Sequence, residues 1–131
     1  MKSLKPLRSL LAVAMTALSF SALAASELTV YTALEPEDMG KYAARFNQDH
    51  PDVKINWVRD STGVITARLL AEKANPQASI WVGGVGLNHM SAKAKGLTAP
   101  YKSRLANNTA PQYRDKDNFW IGLYVGPLGF I

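Results

Sequence analysis

Residues 59–74, with the sequence RDSTGVITARLLAEKA, hold the residue types best suited to binding chemistry in this chain. Two hydroxyl residues, Ser61 and Thr62, and then Gly63 stand at the start of a segment with helical spacing. The first N–H groups of a helix have no partner within the helix and lie at the positive end of its dipole, so they can hold an anion. The simpler interpretation is that one hydroxyl only caps the helix. No Glu or Gln stands three residues after either hydroxyl to complete a capping box, and the spacing leaves both interpretations open.

Two further segments follow predicted strands in the same way. Thr32, Ala33 and Leu34 end the first strand, and residues 83–86 (GGVG) end the third. In open α/β sheets, ligands bind at the carboxyl ends of the strands, so the three segments form one candidate site if the strands are parallel. The glycine run lacks the third glycine of a dinucleotide-binding motif, and we interpret it as a tight turn. Asp60, beside the hydroxyl pair, disfavours a bare anion unless it turns away or meets a cationic group on the ligand.

Residues suited to catalysis are few. The absence of cysteine excludes disulfides, thiolate metal sites and cysteine nucleophiles. His50 and His89 have no plausible partner in the pattern, and we interpret both as surface residues. Glu35, Glu37 and Asp38 stand where the first turn of a helix favours acids, rather than as an acid/base pair. Without a nucleophile elbow, a zinc-protease motif or a P-loop, we expect no catalytic residues, no metal site, no cofactor and no enzyme activity.

Residues 1–24 have the layout of a secretory signal peptide. Lys2, Lys5 and Arg8 precede an apolar run, and small residues at Ala22 and Ala24 predict cleavage after Ala24. The apolar run is shorter than the roughly 20 residues that span a membrane. We therefore expect export, and residues 25–131 as the mature protein.

The charge of the chain belongs mostly to this segment. The whole sequence has a net charge of +5, but without the three N-terminal bases 12 bases and 10 acids remain, a net charge of +2. No cluster of Lys and Arg with interleaved aromatics follows, so nucleic acid is not a predicted partner. Because no cysteine after the signal can take a lipid, we expect a freely diffusing protein in the periplasm.

The hydrophobic pattern predicts the elements that would position the candidate site. Strands are predicted over residues 27–34, 53–58 and 78–84, and helices begin at Pro36, after Ser61 and near Leu87. A long surface connection over 97–118 leads to an apolar strand over 119–131. This order predicts an α/β domain with a mainly parallel sheet.

Two helices have a predicted core face. The first helix carries one apolar stripe, formed by Met39, Tyr42, Ala43 and Phe46. The second carries another, formed by Val64, Ala67, Leu70, Ala71 and Ala74. In the second helix Thr66, Arg68, Glu72 and Lys73 are expected to face away from the sheet.

Residues 28–80, LTVYTALEPEDMGKYAARFNQDHPDVKINWVRDSTGVITARLLAEKANPQASI, resemble the N-terminal part of a periplasmic substrate-binding protein of an ABC importer. The resemblance spans roughly residues 27–101 and is greatest to the branch of ferric-iron and 2-aminoethylphosphonate binding proteins. It implies the type II periplasmic-binding-protein fold, with residues 25–131 forming part of the N-terminal lobe. It also implies a two-lobed clamp that delivers a small solute to a membrane permease.

The resemblance assigns site residues and a solute class. The implied ligand-binding positions are Thr32, Ala33, Ser61, Thr62 and Gly63, and the DSTG segment points to a phosphonate such as 2-aminoethylphosphonate. The amine of that solute would explain an acid beside the site. We expect a monomer; ferric-iron transport and, further off, a periplasmic α/β enzyme are the alternatives.

The sequence also departs from the family pattern. Ser79 stands where relatives have an Asp, and the segment GGVGLNHM differs from the usual one, which puts contacts from the third strand in doubt. The chain ends near the family's crossing to a second lobe, where the tyrosines of iron-binding members lie. We therefore expect a truncated form that binds weakly if at all.

Overall fold

The computed structural model describes residues 26–126. The predicted signal peptide and the last residues of the predicted final strand lie outside them. Three strands alternate with three helices, as predicted. They are β1 (Ser26–Thr32), α1 (Pro36–Asp49), β2 (Val53–Arg59), α2 (Thr62–Ala71), β3 (Ile80–Val82) and α3 (Gly86–Ala94). Two short 3₁₀ turns follow, Ala106–Asn108 and Pro111–Tyr113.

The three strands form one parallel sheet with β1 in the middle, in the order β2-β1-β3. β1 pairs along its whole length with β2, from Ser26 opposite Val53 to Thr32 opposite Arg59. Its last residues also pair with β3, with Thr32 opposite Val82. The parallel arrangement confirms the condition under which the three predicted loop segments share one edge.

The core is small and centres on the end of β1. Val30, Tyr31 and Leu34 are buried, and they are joined by Ile65 of α2 and Ala92 of α3. β3 is only three residues long, and Ile80 is 44% exposed. The prediction of a longer, buried third strand over 78–84 is therefore wrong.

α1 begins at Pro36, as predicted, because proline has no N–H to leave unsatisfied at the first helical position. Its predicted stripe is the less exposed side of the helix but is not core. The helix has no buried residue, and Tyr42 is 43% exposed. The core prediction for this stripe was therefore wrong: Met39, Ala43 and Phe46 are only partly buried.

α2 turns a different face to the sheet from the one predicted. Ile65 is fully buried, whereas Val64 and Leu70 are 49% and 48% exposed. Glu72, predicted to face away, instead accepts hydrogen bonds from the buried Tyr31 hydroxyl at 2.8 and 3.0 Å. That polar contact, together with burial of the branched Ile65 side chain, fixes the rotation of the helix.

The predicted strand over 119–131 is not present in the described part of the chain. Residues 122–126 have no regular structure, and only an isolated antiparallel bridge joins Arg114 to Ile121. The segment is held instead by Lys93 of α3, which donates to both carboxylate oxygens of Asp115 at 2.8 Å and to Asp117 at 2.8 Å. An apolar sequence without a partner strand does not form a ladder.

Candidate functional site

The carboxyl ends of the three strands meet at one edge of the sheet. Thr32 lies between Arg59 and Val82 in the register, so the loops that follow all three strands leave from the same place. Each of the three helices also begins there. We call residues 33–35, 60–63 and 83–86 together the rim.

Thr32 supports the rim from below. It is fully buried, and its hydroxyl donates to the Val82 carbonyl at 2.9 Å while accepting from the Leu34 N–H at 3.0 Å. Its carbonyl accepts from the Asp60 N–H at 3.0 Å. One residue thus ties all three loops together, with its hydroxyl fully engaged inside the protein. Ala33, the next residue, is partly exposed.

The first turn of α2 is both capped and open. Ser61 is the N-cap, and its hydroxyl accepts from the Val64 N–H at 3.4 Å, a long hydrogen bond. The N–H of Ser61 itself donates to the Asp60 carboxylate at 2.7 Å. Thr62 and Gly63 occupy the first two helical positions, whose N–H groups have no acceptor within the helix. The cap interpretation is therefore confirmed, and it leaves two backbone donors at the rim.

The third loop contacts the second through two glycines. Gly83 and Gly84 have φ angles of +78° and +86°, which L side chains rarely adopt. A Cβ on Gly84 would lie 3.0 Å from Cγ2 and 3.1 Å from Oγ1 of Thr62, and one on Gly83 would lie 3.0 Å from Leu34. The tight-turn prediction is confirmed, and the glycines allow the three loops to touch.

A short chain of hydrogen bonds joins α2 to α3 just behind the rim. The Thr66 hydroxyl donates to the Thr62 carbonyl at 2.7 Å and accepts from the Asn88 side-chain amide at 3.0 Å. Neither helix has an acid in its first turn. Their N-terminal ends therefore add positive potential at the contact between Thr62 and Gly84.

The first turn of α1 has the opposite character. Glu37 and Asp38 lie in it, and Glu35 precedes it. Arg59, the last residue of β2, donates to the Leu34 carbonyl and to the Glu35 carboxylate, both at 2.7 Å. Arg59 is thus already paired with Glu35, and the acids of α1 disfavour an anion on this side of the rim. The α2–α3 side remains as the place for an anion.

A polar cluster beneath the rim fixes β1 to α2. Arg68 lies over the Tyr31 ring, 5.0 Å from its centroid, and donates to Glu72 at 2.8 Å. Burial, followed by the nearby Glu72 carboxylate, raises the pKa of Tyr31. The hydrogen bond from Arg68 lowers the pKa of Glu72, and that same bond raises the pKa of Arg68. Tyr31 therefore stays a neutral donor, and Glu72 a charged acceptor.

The two histidines differ. His50 is exposed at the end of α1, with its ring 4.8 Å from that of Phe46. His89 has two partners, so the prediction that it is a surface residue without one was wrong. Its Nε2 lies 2.7 Å from the Gly83 carbonyl oxygen, and its ring stacks on Trp81 at a centroid distance of 3.8 Å.

No grouping of three or more potential His, Cys, Asp or Glu metal ligands occurs within residues 26–126. Within the same residues, every helix is too short or too polar to cross a membrane.

The amino-acid sequence has relatives among curated proteins, although no family model matches it. An uncharacterized protein of Haemophilus influenzae is 33% identical over 118 residues, which cover 87% of this chain and 34% of that protein. A probable ABC transporter periplasmic-binding protein of Sinorhizobium fredii is 31% identical over 113 residues, covering 83% and 31%. The chain spans about a third of the length of these relatives.

Solved structures of periplasmic binding proteins superpose on the described fold. P5PA matches with a TM-score of 0.61 and 34% identity, over 67% of this chain and 28% of its own. AfuA from Actinobacillus pleuropneumoniae, solved with fructose-6-phosphate bound, has a TM-score of 0.62 and 31% identity over 67% and 27%. The ferric binding protein from Campylobacter jejuni has a TM-score of 0.63 and 25% identity over 70% and 29%. This chain has the fold of a type II periplasmic-binding-protein lobe. The predicted fold class is confirmed.

In this lobe the predicted site residues lie together, at or directly below the rim. Sequence reasoning missed Arg59, Asn88 and His89 as residues that shape the rim. Arg59 had one signal, its place at the carboxyl end of β2. Asn88 and His89 had none, because their partners are a hydroxyl on another helix and a backbone carbonyl.

Proposed function

We propose that this chain is the exported solute-binding component of an ABC importer and that it binds a small phosphoryl or phosphonyl anion at the rim. The observation that carries the proposal is the contact between Thr62 and Gly84. It joins two helix N-termini without acids, and the N–H groups of Thr62 and Gly63 are free of intrahelical partners.

The comparisons support an anion of this class. A structure 31% identical to this chain was solved with fructose-6-phosphate bound, and a 31% identical relative is described as a probable ABC transporter periplasmic-binding protein. Phosphoryl oxygens accept several hydrogen bonds at once, which suits neighbouring backbone donors. The hydroxyls of Ser61 and Thr62 would add side-chain donors.

A phosphonate that carries an amine, such as 2-aminoethylphosphonate, fits the charges at the rim further. One carboxylate oxygen of Asp60 accepts from the Ser61 N–H at 2.7 Å, and the residue is exposed. An ammonium group beside Asp60 would compensate its charge while the phosphonate meets Thr62 and Gly63. The carboxylate would then select zwitterionic solutes.

The rest of the transport assignment follows from the same proposal. Such a protein would reside in the periplasm as a monomer, close around its solute with a second lobe and deliver it to a permease in the inner membrane. Ferric iron is the alternative solute, because a ferric binding protein is 25% identical in a match that covers 70% of this chain. We expect no enzyme activity.

Calorimetry on the full chain tests the solute. We expect saturable heat with 2-aminoethylphosphonate, fructose-6-phosphate or inorganic phosphate, and none with ferric citrate beyond that of citrate. Ferric binding alone would replace the phosphoryl assignment by the iron alternative. Turnover of a phosphoester without saturable binding of these solutes would overturn the transport proposal.

A pair of serine variants tests the position of the site. Ser61→Ala removes a hydroxyl at the rim, and the loss of one charge-assisted hydrogen bond weakens solute binding by about tenfold. Ser103→Ala is the matched control, because Ser103 also accepts from a backbone N–H, that of Leu105 at 3.2 Å, but lies outside the rim. Equal affinities in the two variants would place the solute elsewhere.

A further inference from the structure

The Trp81–His89 pair holds the turn that completes the rim. A carbonyl oxygen only accepts hydrogen bonds, so Nε2 of His89 carries the proton that it shares with Gly83 at 2.7 Å. Stacking on Trp81, with an interplanar angle of 22°, fixes the plane of the ring. The hydrogen bond connects α3 back to the turn that precedes it, across six residues.

The turn needs such a restraint because of its composition. Two consecutive glycines, Gly83 and Gly84, have the widest conformational freedom of any dipeptide, and both adopt positive φ here. Next to them, Val85 is the N-cap of α3 but its side chain makes no capping hydrogen bond. The Gly83 carbonyl is thus held by a side chain where the local sequence supplies no cap.

The position of this turn decides the shape of the rim. Gly84 packs against the methyl and hydroxyl groups of Thr62, and Gly83 against Leu34. If Gly83 and Gly84 move, the Thr62 side chain loses the packing contact with Gly84 that restricts its position at the first turn of α2. The bond at His89 therefore acts on the anion site from outside the proposed ligand contacts.

We propose that His89 is a positioning residue for solute binding: it presets the Gly83–Gly84 turn in the conformation that completes the anion site. This inference rests on the proposed function. The apparent dissociation constant rises in inverse proportion to the fraction of molecules with a competent turn. A single hydrogen bond contributes about 1 kcal/mol net, so its loss corresponds to about a five- to tenfold weaker affinity.

The test compares three variants of His89 in the full chain by calorimetry with inorganic phosphate and 2-aminoethylphosphonate. His89→Gln keeps an N–H at a reach similar to that of Nε2, and we expect its affinity to stay within about threefold of wild type. His89→Asn keeps the amide on a shorter side chain, and His89→Leu removes the donor; both weaken binding by about five- to tenfold. His50→Leu, at the far end of α1, is the matched control and leaves the affinity unchanged.

A second measurement separates this inference from the proposed function. Amide NMR signals of Gly83 and Gly84, recorded without solute, broaden through conformational exchange in His89→Asn but stay sharp in His89→Gln and His50→Leu. If wild type binds a solute and all the His89 variants bind it equally, the positioning proposal is wrong. If wild type binds none of the solutes, the proposed function fails, and the affinity claim with it. Glycine signals that stay sharp in His89→Asn also overturn the proposal. Because His89→Asn retains a polar side chain, it serves as the test variant if His89→Leu does not fold.

Discussion

Replacing Gly84 by alanine adds one methyl group at the point where two loops of the rim meet. The backbone at Gly84 has φ +86°, and the new Cβ would lie 3.0 Å from Cγ2 and 3.1 Å from Oγ1 of Thr62. Neither distance is an ordinary van der Waals contact. Gly84→Ala therefore combines backbone strain at residue 84 with overpacking against the Thr62 side chain.

The expected change in the free energy of unfolding follows from these two effects. A left-handed backbone costs an L residue about 1–2 kcal/mol, and overpacking adds about 1 kcal/mol when a neighbour can shift. The smaller conformational entropy of alanine in the unfolded chain offsets about 0.5–1 kcal/mol. We expect Gly84→Ala to lower the free energy of unfolding by about 1–2.5 kcal/mol.

The assay is urea unfolding followed by circular dichroism, with Gly40→Ala as the matched control. Gly40 lies inside α1, and a Cβ there would meet nothing within 4 Å. Alanine is favoured over glycine in a helix by about 1 kcal/mol, so this control stabilises the protein. Replacing glycine by alanine is thus expected to lower the free energy of unfolding at position 84 and to raise it at position 40. A Gly84→Ala protein as stable as wild type, or both variants shifting the midpoint in the same direction, would refute the reasoning.

Two further predictions concern polar contacts away from the rim. Tyr31→Phe removes a buried hydroxyl that donates to a carboxylate at 2.8 Å and lowers the free energy of unfolding by about 1.5 kcal/mol. Tyr42→Phe, at a side chain 43% exposed, changes the free energy of unfolding by less than about 0.5 kcal/mol. Equal effects of the two variants in urea unfolding would contradict a stabilising role of the Tyr31–Glu72 hydrogen bond. Hydrogen bonds from Lys93 hold the pKa values of Asp115 and Asp117 below their usual range, so this attachment stabilises the fold above the unfolded pKa and is lost as the pH falls through the folded values. We expect the protection factors of amide protons in this loop, which correct for the intrinsic exchange rate at each pH, to fall below about pH 4, and protection factors that stay unchanged to pH 2 would contradict the attachment.

Local signals in the sequence predicted the elements well. Pro36 marked the start of α1, and Ser61 capped α2. Gly96, just past α3, has φ +65°, the conformation for which glycine is favoured after a helix. Each of these depends only on the conformation of the residue and its nearest neighbours. The alternation of strand and helix follows from hydrophobic spacing for the same reason.

The orientation of α2 could not be predicted in this way. Val64 and Ile65 are neighbours of similar hydrophobicity, so the sequence offers two overlapping apolar faces. The choice between them depends on Tyr31 and Glu72, which are 41 residues apart. The prediction of a final strand was wrong for a similar reason. An apolar segment forms a strand only where a partner strand pairs with it, and composition does not show whether one does.

The rim was predicted as a place but not in its working detail. Thr32 has its hydroxyl turned into the protein, while Arg59 and His89 are directed at backbone carbonyl oxygens. Every residue carries such an oxygen, so these partners leave no mark in the sequence. Only the fold shows which carbonyl each side chain meets.

The bridge at Thr66 has a consequence for how the lobe opens. Because its hydroxyl joins the first turn of α2 to Asn88, neither helix can leave the sheet without breaking a bond to the other. α1 has no buried residue and no such link in the described part of the chain. Amide protons of α2 and α3 should therefore exchange through one shared opening, and those of α1 through smaller, earlier ones. A solute at the rim would slow exchange in the first pair and leave α1 as it was.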